Sequence, residues 1–233
     1  MKAFLICADH EQNRNLEAIE ATYPFAVQRV EAIYPSRQKV PFVDRLISVS
    51  KERTGKALML GELGCLMSHR KVWRAILHEA SDDHQHFMVF ESDSRIVDPR
   101  FMTEHASGLT KDCDMFFWGA WEGHMKLFRS SQSRLGGHMV GTPFIKTVYC
   151  TYGYSLNRKA AALLLQRTVN PSWAVDQFKY FFKPTELKLG GVLPEVVVGN
   201  EIGSTIRSGE NLIFKKIFLF ILDIKNSIIC FFR

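Results

Sequence analysis

Short apolar runs separated by stretches of helical period constrain this chain more than any other feature. Residues 2–7 read as a buried strand, followed by a helix over about 15–22 and a second strand over 25–32. Residues 60–78 carry the strongest helical signal, and the compact run 87–90 and the segment 114–118 read as further strands. Strands alternating with helices in this way predict an α/β fold. A single domain is expected, with a mostly parallel central sheet flanked by helices and a ligand site at the C-terminal strand ends. Residues 34–55 hold Pro35, Pro41 and many charges, which predicts a loop with at most a short helix. Residues 130–141, rich in Ser and Gly, predict a loop or lid. Farther on, 147–156 reads as extended, 158–168 and 175–182 as helices, and 191–198 as a last strand.

Composition narrows the class. The 233 residues are 46% hydrophobic and 23% charged, which excludes a disordered or collagenous chain. No apolar run reaches the ~18 residues of a membrane span, and the opening residues do not read as a cleaved signal peptide. Five cysteines, odd in number and widely spaced, argue against a disulfide framework and for a reducing cytoplasm. The net charge of +6 favours anionic partners, but the basic residues are dispersed and carry no nucleic-acid motif.

The strand 87–90 ends in Glu91-Ser92-Asp93. If the chain stays extended, Glu91 and Asp93 point to one side and Ser92 to the other. Such a pair suits Mg²⁺ or Mn²⁺, although it also reads as a polar strand end. On the helix 60–78, His69 falls within the apolar face between Cys65 and Trp73, the usual place of a hydrogen-bonded core histidine. Cys65 and His69 are spaced i, i+4 as metal ligands can be. No further ligand cluster accompanies them, which argues against a zinc site. Asp176 opens the expected helix 175–182. It is either a carboxylate complementing the helix dipole or a general base at a pocket rim, with Glu122 a rival for the second role.

The domain is expected over residues 1–208 and an amphipathic tail over 209–233. In the tail Lys215, Lys216, Asp223, Asn226, Ser227 and Arg233 share a narrow arc and the rest of the circumference is apolar. A helix of this kind would lie on an anionic membrane surface through residues 212–233, or pack on the core or another subunit.

Four blocks in order resemble glycosyltransferase family 25, the bacterial lipooligosaccharide glycosyltransferases. They are Gly61-Glu-Leu-Gly-Cys65-Leu-Met-Ser68-His69-Arg-Lys-Val-Trp73, Val89-Phe-Glu91-Ser-Asp93, Thr151-Tyr-Gly153-Tyr154-Ser-Leu-Asn-Arg158-Lys-Ala160 and Ala174-Val-Asp176. The resemblance spans about residues 2–205 and implies a GT-A-like fold. It further implies an inverting enzyme moving a hexose, most often galactose from UDP-galactose, onto a lipid-linked oligosaccharide at the inner face of the bacterial inner membrane. By the same resemblance Glu91 and Asp93 would hold Mn²⁺ or Mg²⁺ on the diphosphate, with Asp176 as catalytic base. Arg14, Ser68, His69, Glu91 and Gly153 would serve donor binding, Gly153 by letting backbone approach a sugar. Two positions depart from the family pattern, Ser92 in place of a middle Asp and Ala174 in place of a Pro. The third metal ligand of the family finds no counterpart beyond a guess at Asn200 or water. A metal-dependent phosphohydrolase and an inactive nucleotide-sugar-binding relative are the competing expectations.

Overall fold

The structure is a computed structural model that describes residues 1–7, 16–121, 123–199 and 212–232, with side chains in the last segment described from 222 on. Its elements are β1 (Lys2–Cys7), α1 (Leu16–Ala21), β2 (Ala26–Glu31), α2 (Val43–Thr54), α3 (Leu60–Glu79), β3 (Phe87–Glu91), β4 (Ser94–Ile96) and α4 (Pro99–Thr110). The second half adds β5 (Met115–Phe117), β6 (Ser133–Leu135), β7 (His138–Gly141), β8 (Gly153–Leu156), α5 (Arg158–Arg167), β9 (Leu189–Leu193), β10 (Val197–Gly199) and α6 (Leu212–Phe232).

Eight strands form the central sheet in the order β2-β1-β3-β8-β5-β9-β7-β6, and β10 pairs with β4 in a small second sheet. The α/β expectation holds, and β2, β1 and β3 are parallel as predicted. The rest is mixed. β8 enters antiparallel between β3 and β5, β9 is parallel to β5, and β7 and β6 close the edge antiparallel.

Strand alternation divides the core in two. Phe4, Ile6, Phe87 and Val89 point to one face, where α3 and α5 bring Leu66, Val72, Trp73, Ile76, Ala161 and Leu164. Ala3, Leu5, Met88 and Phe90 point to the other, against Phe101, Met102 and Ala106 of α4.

Several local expectations are corrected. Residues 43–54 form a full helix. Val43, Leu46, Ile47, Ser50 and Thr54 line its inner face at helical spacing, and Gly55 ends it in the left-handed conformation with φ 77°. Charge on the outer face disguises this pattern as a loop. The stretch 130–141 contains the β6–β7 hairpin rather than a lid. The expected helix 175–182 shrinks to a 3-10 turn over Phe178–Tyr180, so Asp176 sits in a turn before it. Helix α4 has no counterpart in the expectations, though its start is written in the sequence. Asp98 caps it by accepting from the Phe101 N–H at 2.9 Å, and Pro99 occupies the first turn.

The tail forms a helix, as expected. Among its described side chains, Asp223 pairs with Lys126 at 3.1 Å and Asn226 and Cys230 are buried, while Ser227 of the polar arc is exposed. Ile224, Ile228, Phe231 and Phe232 face outward, with Arg129 4.3 Å from the centre of the Phe231 ring. No helix among the described residues is long and apolar enough to cross a membrane.

Candidate functional site

The site is built at the C-terminal end of β3. Its first component is a hydrogen-bond chain in the core. Trp73 Nε1, which can only donate, gives its proton to the Tyr154 hydroxyl at 2.9 Å. Tyr154 Oη lies 2.8 Å from His69 Nδ1, and His69 Nε2 lies 3.0 Å from Glu91 Oε1. Both Tyr154 and His69 are almost completely shielded from solvent. A buried hydroxyl placed this way satisfies both neighbours when it accepts from Trp73 and donates to His69. His69 is then the Nε2–H tautomer and donates to Glu91. Protons run one way along the chain and end on the carboxylate.

Two more donors meet the same oxygen. Thr151 Oγ1 donates to Glu91 Oε1 at 2.7 Å, and the Cys65 thiol reaches it at 3.5 Å. Burial alone would raise the Glu91 carboxyl, but the hydrogen bonds from His69, Thr151 and Cys65 outweigh it and hold the group below its ordinary value. Cys65, His69 and Glu91 thus form a three-ligand cluster that the sequence did not reveal, with ligand atoms within 4.8 Å of one another. The proton on Nε2 and the thiol proton account for its close approach, since burial first, and then the charge of Glu91, raise Cys65 well above the ordinary thiol range. The arrangement is a hydrogen-bonded knot that fixes one carboxylate oxygen.

The chain turns at Ser92 and Asp93 instead of continuing extended. The Ser92 N–H donates to the Ile6 carbonyl at 3.0 Å, and its side chain is buried. Asp93 reaches solvent from a recess in which surrounding protein, and then the charge on Glu91, push its carboxyl up to about 6. A carboxylate whose ionisation is hindered by burial and by a charged neighbour is one that a hard divalent cation relieves, and oxygen donors match the preference of such a cation. Glu91 and Asp93 therefore fit the metal that the family resemblance implies.

Asp176 joins them. The Cys150 thiol is pushed up to about 12, mainly by burial, and the charges of Asp176, Glu91 and Asp93 all contribute. The same three carboxylates act on Cys65. Asp176 also accepts from Gln177 Nε2 at 3.3 Å. The turn before Thr151 is strained, since Cys150 adopts the left-handed conformation with φ 68°, uncommon for a side chain of its kind.

Other predicted residues are placed differently. Ser68 is buried; it accepts from the Ile33 N–H and donates to the Gly64 carbonyl, both at 2.8 Å, tying the end of β2 to α3. Gly64 permits this, because a Cβ there would collide with the Ile33 carbonyl oxygen. His69, with no exposed surface, meets the site through Glu91. Gly153 is buried and packed against β10, where a Cβ would stand 2.7 Å from Val197 Cγ1. Arg14, Glu122 and Asn200 lie outside the described residues. Thr151, Tyr154 and Trp73 lie within the motif blocks, yet the sequence assigns them no role. Their participation follows from β8 running antiparallel beside β3, a pairing no local pattern announces.

Comparison with known proteins adds a family to this geometry. The model of glycosyltransferase family 25 (LPS biosynthesis protein) matches residues 1–179. No curated protein matches at a significant level. Among solved structures, the crystal structure of A197 from STIV aligns over 91% of this chain and 98% of that one, at 7% identity and a TM-score of 0.37.

Proposed function

The chain belongs to glycosyltransferase family 25, and from that premise we propose that it is an inverting hexosyltransferase of lipopolysaccharide assembly. Its donor would be UDP-galactose and its acceptor a lipid-linked oligosaccharide. The observation that carries this reading is the fixing of Glu91 Oε1 by His69, Thr151 and Cys65 at the end of β3, two residues before Asp93. These two acids are suited to a diphosphate-bound cation, and Asp176, whose charge bears on the same two thiols, Cys65 and Cys150, is suited to deprotonate an alcohol.

Glu91 and Asp93 would hold Mn²⁺ or Mg²⁺, which would offset charge developing on the diphosphate. His69, Thr151 and Cys65 keep Glu91 ionised and fixed through Oε1. Asp176 would take the proton of the acceptor hydroxyl as that oxygen attacks the anomeric carbon. The carbon–oxygen bond to the diphosphate breaks, its electron pair leaves with UDP, and configuration inverts. Ser92 in place of an acid is compatible with this scheme, because its side chain is turned into the protein. A GT-A-like arrangement of the mixed sheet belongs to the same proposal.

The outward-facing Ile224, Ile228, Phe231 and Phe232 of α6 would rest on the cytoplasmic membrane surface and keep the enzyme beside its lipid-linked acceptor. The test is turnover of a panel of nucleotide sugars with deacylated lipopolysaccharide core, with and without Mn²⁺. Metal-dependent formation of a β-linked product from an α-linked donor is the expected result. Hydrolysis that no acceptor diverts would favour a phosphohydrolase instead.

A further inference from the structure

The chain spends large aromatic side chains in two ways. Trp73 and Trp118 are fully buried, whereas Trp121 is 40% and Tyr180 51% exposed. Trp121 and Tyr180 belong to one group of rings. The Trp121 N–H donates to the Tyr149 carbonyl at 2.8 Å, and their rings meet edge to face with centroids 6.5 Å apart. Lys179 Nζ lies 5.2 Å from the ring centres of both Tyr149 and Tyr180. Tyr180 in turn stacks on Trp173 at 3.9 Å with an interplanar angle of 16°. Four rings and one ammonium thus form a continuous strip.

The strip adjoins the acids. Tyr149 belongs to it, Cys150 turns the chain, and Thr151 donates to Glu91, so three consecutive residues join strip and acidic site. Asp176 lies three residues before Lys179, and its charge bears on both Tyr149 and Lys179. Exposed, rigid rings are costly to leave in water without a ligand. A pyranose offers what they lack: its C–H face packs on the electron-rich ring face while its hydroxyls stay solvated. An ammonium set between two rings adds a fixed positive charge at the same place.

We propose that the strip Trp121–Tyr149–Tyr180–Trp173, with Lys179 at its centre, is the acceptor subsite, and that it takes a pyranose carrying a carboxylate or phosphate. This rests on the reading of Asp176 as the base that receives the acceptor's proton. The aromatic faces seat the sugar and the Lys179 ammonium addresses its negative charge. A hydroxyl of that sugar then comes beside Asp176.

The test compares Trp121→Ala, Tyr180→Ala and Lys179→Gln with the wild type, using deacylated lipopolysaccharide core before and after dephosphorylation. Donor binding and the slow release of UDP to water report on the donor half alone. The ring variants are expected to raise the acceptor KM about tenfold or more, with donor binding and hydrolysis unchanged. Lys179→Gln is expected to abolish the preference for the charged glycan. Unchanged acceptor KM in both ring variants, or an equal loss of donor binding, overturns the proposal. If the wild type turns over no nucleotide sugar, the transferase reading fails on its own. Saturation-transfer NMR with the same glycan then decides the subsite: a transfer signal that vanishes in Trp121→Ala supports it, and no signal with the wild type overturns it.

Discussion

His69 Nε2 lies 3.0 Å from Glu91 Oε1, and the imidazole that makes this bond has no surface in water. A family motif on helix α3 thus reaches the site through a carboxylate on β3. In the proposed mechanism this histidine would act as a positioning residue. Its orientation is in turn set by Tyr154 and Trp73.

Removing the hydroxyl in Tyr154→Phe leaves Trp73 Nε1 and His69 Nδ1 buried without their partner. The expected loss is about 1–3 kcal/mol for each group left unsatisfied. At this chain length that lowers the melting temperature by roughly 2–4 °C per kcal/mol. Activity should fall further than stability alone explains, because Glu91 loses its fixed donor. Calorimetry and turnover on the same sample check this; a melting point equal to the wild type's would contradict the chain.

Asp176→Asn keeps the shape of the side chain and removes the base. Transfer should drop by roughly 10²–10⁴-fold, while binding of donor and metal persists. Asp93→Asn should do the reverse, weakening metal-dependent donor binding. Calorimetric titration of UDP with Mn²⁺ separates the two. Identical profiles for both variants would dissolve the division of roles.

Asp114, before β5, receives hydrogen bonds from Lys159 Nζ and the Lys188 N–H at 2.8 Å and from Asn157 Nδ2 at 3.1 Å. Burial raises its carboxyl, but these bonds prevail and hold it below the ordinary value. The unfolded chain therefore takes up the proton first. The stabilisation is full above the ordinary range of about 3.9 and is lost as pH falls through the lower folded value. Asp114→Asn should lower the melting point at pH 7 and flatten its decline toward acid. Melting curves from pH 7 to 3 that fall in parallel for the two proteins would count against it.

Helix α6 gives a further prediction. Ile228→Glu with Phe232→Glu should abolish co-sedimentation with vesicles containing phosphatidylglycerol and leave turnover of a soluble acceptor intact, since both side chains face outward. Retained sedimentation would assign that face to something other than lipid.

The strands β1 and β3, the helix α3 and the acid pair are legible because each is a local pattern: an apolar run, a helical period, two carboxylates at a strand end. Asp176 is legible as a residue but not as a shape, for the turn holding it follows the burial of Val175 and Phe178 in the core rather than propensity. Helix α4 is legible in the Asp98-Pro99 capping signal and in the helical spacing of Phe101, Met102, Ala106 and Thr110 behind it. The antiparallel entry of β8 is not legible, since register between strands far apart in sequence leaves no periodic trace. With it go the roles of Thr151 and Tyr154, and the packing role of Gly153 against Val197.

That one inverted strand has a consequence for synthesis. Among the described residues, strands β2-β1-β3 and β5-β9-β7-β6 are joined in the sheet only through β8. Until residues 153–156 have left the ribosome, the two halves of the nascent chain share no ladder, and Glu91 lacks both Thr151 and the Tyr154-anchored imidazole. Long-range pairing of this kind is slow to form. The acidic pair is made early in the life of the chain, yet it is assembled only when the strand that bridges the two halves arrives.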